Sequence, residues 1–152
     1  MNHNFIFVFV LLVTLSMVNA IPLNKRATIF DACPVDPPIS PLTVSITPDP
    51  PVAGQDEKFV VSGTLKHDIT ASVTILVIGF TADGTSPLID PYTQNFTESV
   101  KAGTKFSITA DKVPTPSQFP SSYLITVIVG DPTKIDPYGC AFATECPYPI
   151  TK

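Results

Sequence analysis

Proline decides what this chain can become. Its seventeen prolines cluster in punctuating runs: Pro34–Pro41, Pro48–Pro51, Pro87–Pro91, Pro114–Pro120 and Pro132–Pro137. Each ring removes a backbone N–H and clashes with the preceding helical turn, so a long helix has no room to form. Between the runs lie short segments rich in Val, Ile, Thr and Phe. Short, evenly spaced strands divided by turn signals predict an all-β sandwich of two antiparallel sheets.

The strands carry a readable phase, because successive side chains point to opposite faces. Leu42, Val44 and Ile46 alternate with Thr43, Ser45 and Thr47. Phe59, Val61, Gly63 and Leu65 alternate with Lys58, Val60, Ser62 and Thr64. Phe106 and Ile108 alternate with Lys105, Ser107 and Thr109. Two segments, Val73–Phe80 and Tyr123–Gly130, are apolar on both faces over most of their length. With Ser72 and Thr74 set outward, Val73, Ile75 and Val77 fall inward, and Leu76, Ile78 and Phe80 form a surplus outer set. In the second segment Tyr123, Ile125, Val127 and Val129 point inward, and Ile128 joins the surplus. An irregular strand is expected within 88–99 and a last one at 138–144.

Residues 1–20 read as a signal peptide, with an apolar run, Phe5–Val13, and small residues before a cleavage point at Ala20. Lys25-Arg26 resembles a dibasic processing site, making 21–26 a short propeptide and 27–152 the mature domain. The chain is then expected to be secreted, or held in the lumen of the secretory pathway or a vacuole. Without that pair, seven basic residues face thirteen acidic ones, and Arg26 is the only arginine. A protein that grips nucleic acid needs a dense cationic surface, so that class is excluded. Strong electrostatic attachment to anionic membranes is disfavoured on the same ground, whereas transient contact through apolar loop tips is not.

Three cysteines remain to be paired. In an oxidising compartment a bond joining the two ends of the domain is expected. Cys33–Cys140 is favoured because Cys140 sits in a strand-like segment; Cys33–Cys146, reaching into the Pro-rich tail, is the alternative. No metal site is expected, since no histidine lies near these cysteines. His67 falls in a polar turn, Asp56-Glu57 reads as a solvated strand start, and the aspartates beside prolines read as turn formers. No nucleophile elbow, phosphate loop or EF-hand pattern occurs. An enzyme is not expected, nor a cofactor. Asn95-Phe96-Thr97 is an N-glycosylation sequon, which requires Asn95 to be exposed.

The order of features resembles one family. Cys33 is followed by Leu42–Ile46 and Pro48-Asp-Pro-Pro51-Val-Ala-Gly54. Then come Phe59-Val-Val-Ser-Gly63-Thr-Leu65, Val73–Phe80, Val113-Pro114 with Pro116, Tyr123–Gly130 and Gly139-Cys140-Ala-Phe142. Over about residues 31–146 this resembles the ML lipid-recognition family, which includes fungal phosphatidylglycerol/phosphatidylinositol transfer proteins and Niemann–Pick type C secreted sterol-binding proteins. The resemblance implies an immunoglobulin-like sandwich whose sheets splay around an apolar inter-sheet cavity. One departure stands out: Ile89–Lys105 lacks the mid-chain cysteine pair that family members often carry, so lipid selectivity does not transfer.

The function that follows is a monomeric lipid-binding or lipid-transfer protein that shields one phospholipid or sterol and exchanges it between membranes. The cavity wall would comprise Val61, Leu65, Ile75, Val77, Phe106, Ile108, Ile125, Val127 and Phe142. The alternative is a secreted immunoglobulin-like interaction module with a closed core, using Leu76, Ile78, Phe80 and Ile128 as its contact patch.

Overall fold

The computed structural model describes residues 27–134 and 137–145. The expected leader, the Lys25-Arg26 site and Cys146 lie outside the described residues. Nine strands follow one another: β1 (Asp31–Ala32), β2 (Ser40–Thr47), β3 (Asp56–Thr64), β4 (Ile75–Ala82), β5 (Ser86–Pro87), β6 (Tyr92–Asn95), β7 (Lys105–Pro114), β8 (Tyr123–Gly130) and β9 (Gly139–Glu145). No described residue is helical, in keeping with the proline punctuation.

The strands run in the order β5-β4-β8-β9-β2-β3-β7, with β1 beside β9 and β6 beside β4. The result is a curled sheet in two layers. The larger layer holds β4, β8 and β9 with their short partners; the smaller holds β2, β3 and β7. Strand β2 joins them: Ser40 and Pro41 pair in parallel with Gly139 and Cys140, and Leu42–Thr47 then pair antiparallel with β3. The layers are thus backbone-bonded along one side.

The opposite side is fastened at one end. The β3–β4 and β6–β7 connections both cross between layers there and lie side by side. Ile69 and Val100 exchange backbone bonds at 2.8 and 3.0 Å, and Gly103 N–H donates to the Leu65 carbonyl at 2.9 Å. Asp68 accepts from the Ala102 N–H at 2.8 Å and from Lys101 Nζ at 2.9 Å. Midway along this side, Gln94 Nε2 donates to the Thr109 carbonyl at 3.1 Å. At the far end, aromatic side chains meet across the layers: Phe59 and Phe80 edge to face at 6.5 Å, and Phe119 tilted against Phe80 at 6.0 Å.

Phase follows the reading of the sequence in β2, β3, β7 and β8. It is inverted in β4: Leu76, Ile78 and Phe80 are fully buried and Val73 is 44% exposed. Ile75 and Val77 lie half-buried on the outer face. The polar cue misled because Thr74 is buried, its hydroxyl taking the Thr70 N–H at 2.9 Å in a tight turn. Register agrees, with Leu76, Ile78 and Phe80 opposite Val129, Val127 and Ile125. A bulge in β7 sets Asp111 and Lys112 outward in succession and so keeps both Ala110 and Val113 inside.

Cys33 is bonded to Cys140, with Cα atoms 5.7 Å apart and a separation of 107 residues. This is the favoured pairing. It ties the chain just after β1 to the strand β1 pairs with, and closing so long a loop stabilises the fold by about 5 kcal/mol in the chain-entropy view.

The inverted phase has a direct test in urea denaturation. Ile78→Ala, inside, is expected to cost about 2–5 kcal/mol, whereas Val77→Thr, outside, should cost about 1 kcal/mol or less. A reversed ranking would restore the original phase.

Candidate functional site

The candidate site is the space between the layers. Of the residues expected to line it, Val61, Leu65, Phe106, Ile125 and Val127 are brought together there, each buried. Ile108 also points inward, opposite Val61, and stays half-buried beside the β6–β7 side. Three do not belong. Ile75 and Val77 follow the inverted phase of β4 to the outer face, and Phe142, paired with Thr126, joins them there. Phase reasoning missed Leu76, Ile78 and Phe80. The available signal was the far end of the strand, where Gly79 and Thr81 mark the opposite set as the outer one.

The interior is filled. Phe59, Val61, Leu76, Val113, Ile125, Val127, Val129 and Ala141 are 0% exposed, so no water-sized space touches them. Ala141 and Ala143 keep β9 low under the smaller layer, and Gly139 continues the row: an added Cβ would sit 2.8 Å from both Leu42 Cδ2 and Leu65 Cδ2, so these side chains would have to shift. At the fastened end an open cleft of about 740 Å³ lies over Ile39, Ser40, Pro41, Leu65 and Lys66. A second, of about 340 Å³, adjoins it at Ser40 and Lys66. His67 stands at its wall, stacked on Tyr138 at 4.8 Å.

The aromatic end is chemically different. The starts of β3 and β8 and the ends of β7 and β9 meet there. Glu57, expected to be solvated, is instead 0% exposed, because it shares the inward phase of Phe59 and Val61. Its Oε1 accepts from the Val52 N–H at 2.8 Å, and its Oε2 is buried with no hydrogen-bond partner. Burial pushes its carboxyl above the ordinary range; the Val52 N–H opposes the rise and the Asp49 charge adds to it. Thr115 braces the loops, its hydroxyl lying 2.9 and 2.8 Å from the Val52 and Gln55 carbonyls, which share its one proton, and accepting from the Gln55 N–H at 3.1 Å. Tyr123 points inward from β8, 3% exposed. Its phenol is held protonated by burial and by the charges of Glu145 and Glu57. Phe119 lies flat on the Tyr123 ring at 4.2 Å.

With this architecture in view, comparison with solved structures is informative. In fold, this chain is similar to MD-1. Chicken MD-1, solved complexed with lipid IVa, superposes with a TM-score of 0.50 at 15% identity, over 77% of this chain and 87% of that one. A calcium-binding mutant of Bacteroides uniformis beta-glucuronidase 2 matches at 0.43, with 10% identity over 72% of this chain and 14% of the enzyme. Bacteroides uniformis beta-glucuronidase matches at 0.42, with 10% identity over 69% and 13%. No protein-family model matches the sequence. No curated protein matches it either. The similarity to MD-1 establishes the β-sandwich fold.

Glu57 makes stability depend on pH. Its folded pKa lies above the unfolded value, so its contribution is fully present below the unfolded value and is lost as pH rises through the folded one. Glu57→Gln keeps the acceptor for Val52 and removes the charge. Its melting temperature is expected to exceed the parent's at pH 7.5, with the gain shrinking toward pH 4. A variant less stable than the parent at pH 7.5 would contradict this account of Glu57.

Proposed function

We propose that this chain binds one lipid between its two layers and, as a secreted protein, carries it between membranes. The observation that carries the reading is the pair of continuous apolar inner faces, built from Val, Ile, Leu and Phe, on a fold shared with a protein solved in complex with a lipid. Each Å² of ligand surface taken from water contributes about 25 cal/mol before ordering costs. Such a site needs few polar groups, which suits a chain poor in catalytic patterns.

A filled interior must part to admit a lipid. The β2 side is bonded through its backbone, and the other side is stitched at the Ile69–Val100 end. Parting therefore begins at the aromatic end, where the 115–122 segment crosses between the layers and the ring contacts of Phe119 with Phe80 and of Phe80 with Phe59 are side-chain contacts. The contacts there are dispersion contacts that an apolar ligand can replace. Secretion fits the Cys33–Cys140 bond, and Asn95 is exposed at the edge strand β6, as a glycan would require.

The filled interior also favours a second reading, the closed interaction module. Its contact patch is not the one expected from the sequence, because Leu76, Ile78 and Phe80 are inside. The outer face instead offers Ile75, Val77, Leu124, Ile128 and Phe142, all half-buried.

Mass spectrometry of organic extracts separates the two. Native protein purified from a secreting host is expected to carry lipid in near-stoichiometric amount, and delipidated protein to take lipid up from vesicles. Protein that carries none and takes up none would leave the closed module.

A further inference from the structure

An apolar interior that ends in a buried, half-satisfied carboxylate needs an explanation. Leaving Glu57 Oε2 buried without a partner costs stability, and the charge on the carboxylate adds to that cost. The carboxylate is not a surface residue caught by a loop. It occupies the inward phase of β3, one step beyond Phe59, and ends the apolar row Phe59, Val61. Tyr123 occupies the matching place on the other layer, one step beyond Ile125. Glu145 shares the inward phase of Ala141 and Ala143 on β9 and lies opposite Tyr123 in the register. These groups stand at the aromatic end of the interior, where Phe119, half-buried in the 115–122 loop, packs on Tyr123 and Phe80.

Resting on the lipid-binding reading, we propose that Glu57 and Tyr123 are the recognition point for the ligand's polar end, and that this end is an uncharged hydroxyl group. A hydroxyl can donate to Glu57 Oε2, giving the orphan oxygen the partner it lacks, and can accept from the Tyr123 phenol. An anionic head would face the buried carboxylate of Glu57 in a poorly hydrated place, where like charges repel strongly. The side chain of Phe119 covers Tyr123 by stacking on its ring, and it stands in a loop, so swinging it outward uncovers that ring without breaking a strand pairing. The ligand class that fits is a neutral long-chain or ring alcohol, its apolar body displacing contacts among Phe59, Phe80 and Phe119.

The test uses two probes with one apolar chain and different heads, 1-dodecanol and dodecyl phosphate, titrated calorimetrically into the full-length delipidated protein at pH 7.5. The parent is expected to bind the alcohol at least about tenfold more tightly. In Glu57→Gln, which retains the Val52 contact, the preference should fall to about threefold or less, chiefly through better binding of the phosphate. Tyr123→Phe, which keeps the ring against Phe119, should weaken the alcohol about threefold or more and leave the phosphate unchanged. Equal binding of both heads by the parent, or a preference untouched in both variants, would overturn this assignment and leave the lipid reading standing. Failure of the parent to bind either probe, together with no uptake from vesicles, would overturn the lipid reading and this assignment with it.

Discussion

The structure depends on how its two layers are held against one another. Along β2 the connection is covalent and hydrogen-bonded, since one strand belongs to both layers and pairs with Gly139 and Cys140 before turning to β3. The disulfide from Cys33 fixes the same edge. Across the interior the connection is dispersion and the hydrophobic effect, acting on Phe59, Val61, Ile78, Ile125 and Val127. Backbone bonds specify one geometry, whereas apolar contacts accept any filler of suitable shape. A sandwich fastened on one side and at one end, and packed with exchangeable side chains elsewhere, is suited to admitting a ligand.

Much of this was legible in the sequence, and the failures have physical causes. Proline spacing excluded helix, and alternation placed the inner faces of β2, β3, β7 and β8, including Val61, Phe106, Ile125 and Val127. The disulfide partner of Cys33 was legible because Cys140 sits in a strand. Strand β4 was misread because it is apolar on both faces, so its phase rested on Thr74, a polar residue buried by its bond to the Thr70 N–H. Ile75 and Val77 left the site in consequence. Phe142 left it too, since β9 turns its alanines inward to fit beneath the smaller layer. Glu57 was misread for the opposite reason: its charge outweighed its phase, although extending the row Leu65, Gly63, Val61, Phe59 by one step places it inside.

In the proposed reading Glu57 also links stability to function. Burying a carboxylate with one oxygen unpaired opposes folding at neutral pH. The large apolar cores of β4 and β8 offset that cost, and the braces at Thr115 hold the surrounding loops while the strain persists. On that reading, opening the aromatic end returns Glu57 to water. Two features that look unrelated in the sequence, a proline-rich loop carrying Phe119 and an acidic strand start, lie at the same end of the fold in three dimensions.

The central claim is that lipid enters between the layers and not onto the outer face. Methyl-resolved NMR of Ile, Leu and Val side chains, recorded as delipidated protein is titrated with lipid, tests it directly. The account predicts shifts and ligand cross-peaks at the inward methyls of Val61, Ile78, Ile125 and Val127, with little change at Val77 and Ile128. Perturbation confined to Ile75, Val77, Leu124 and Ile128, with the inward methyls unmoved, would contradict it.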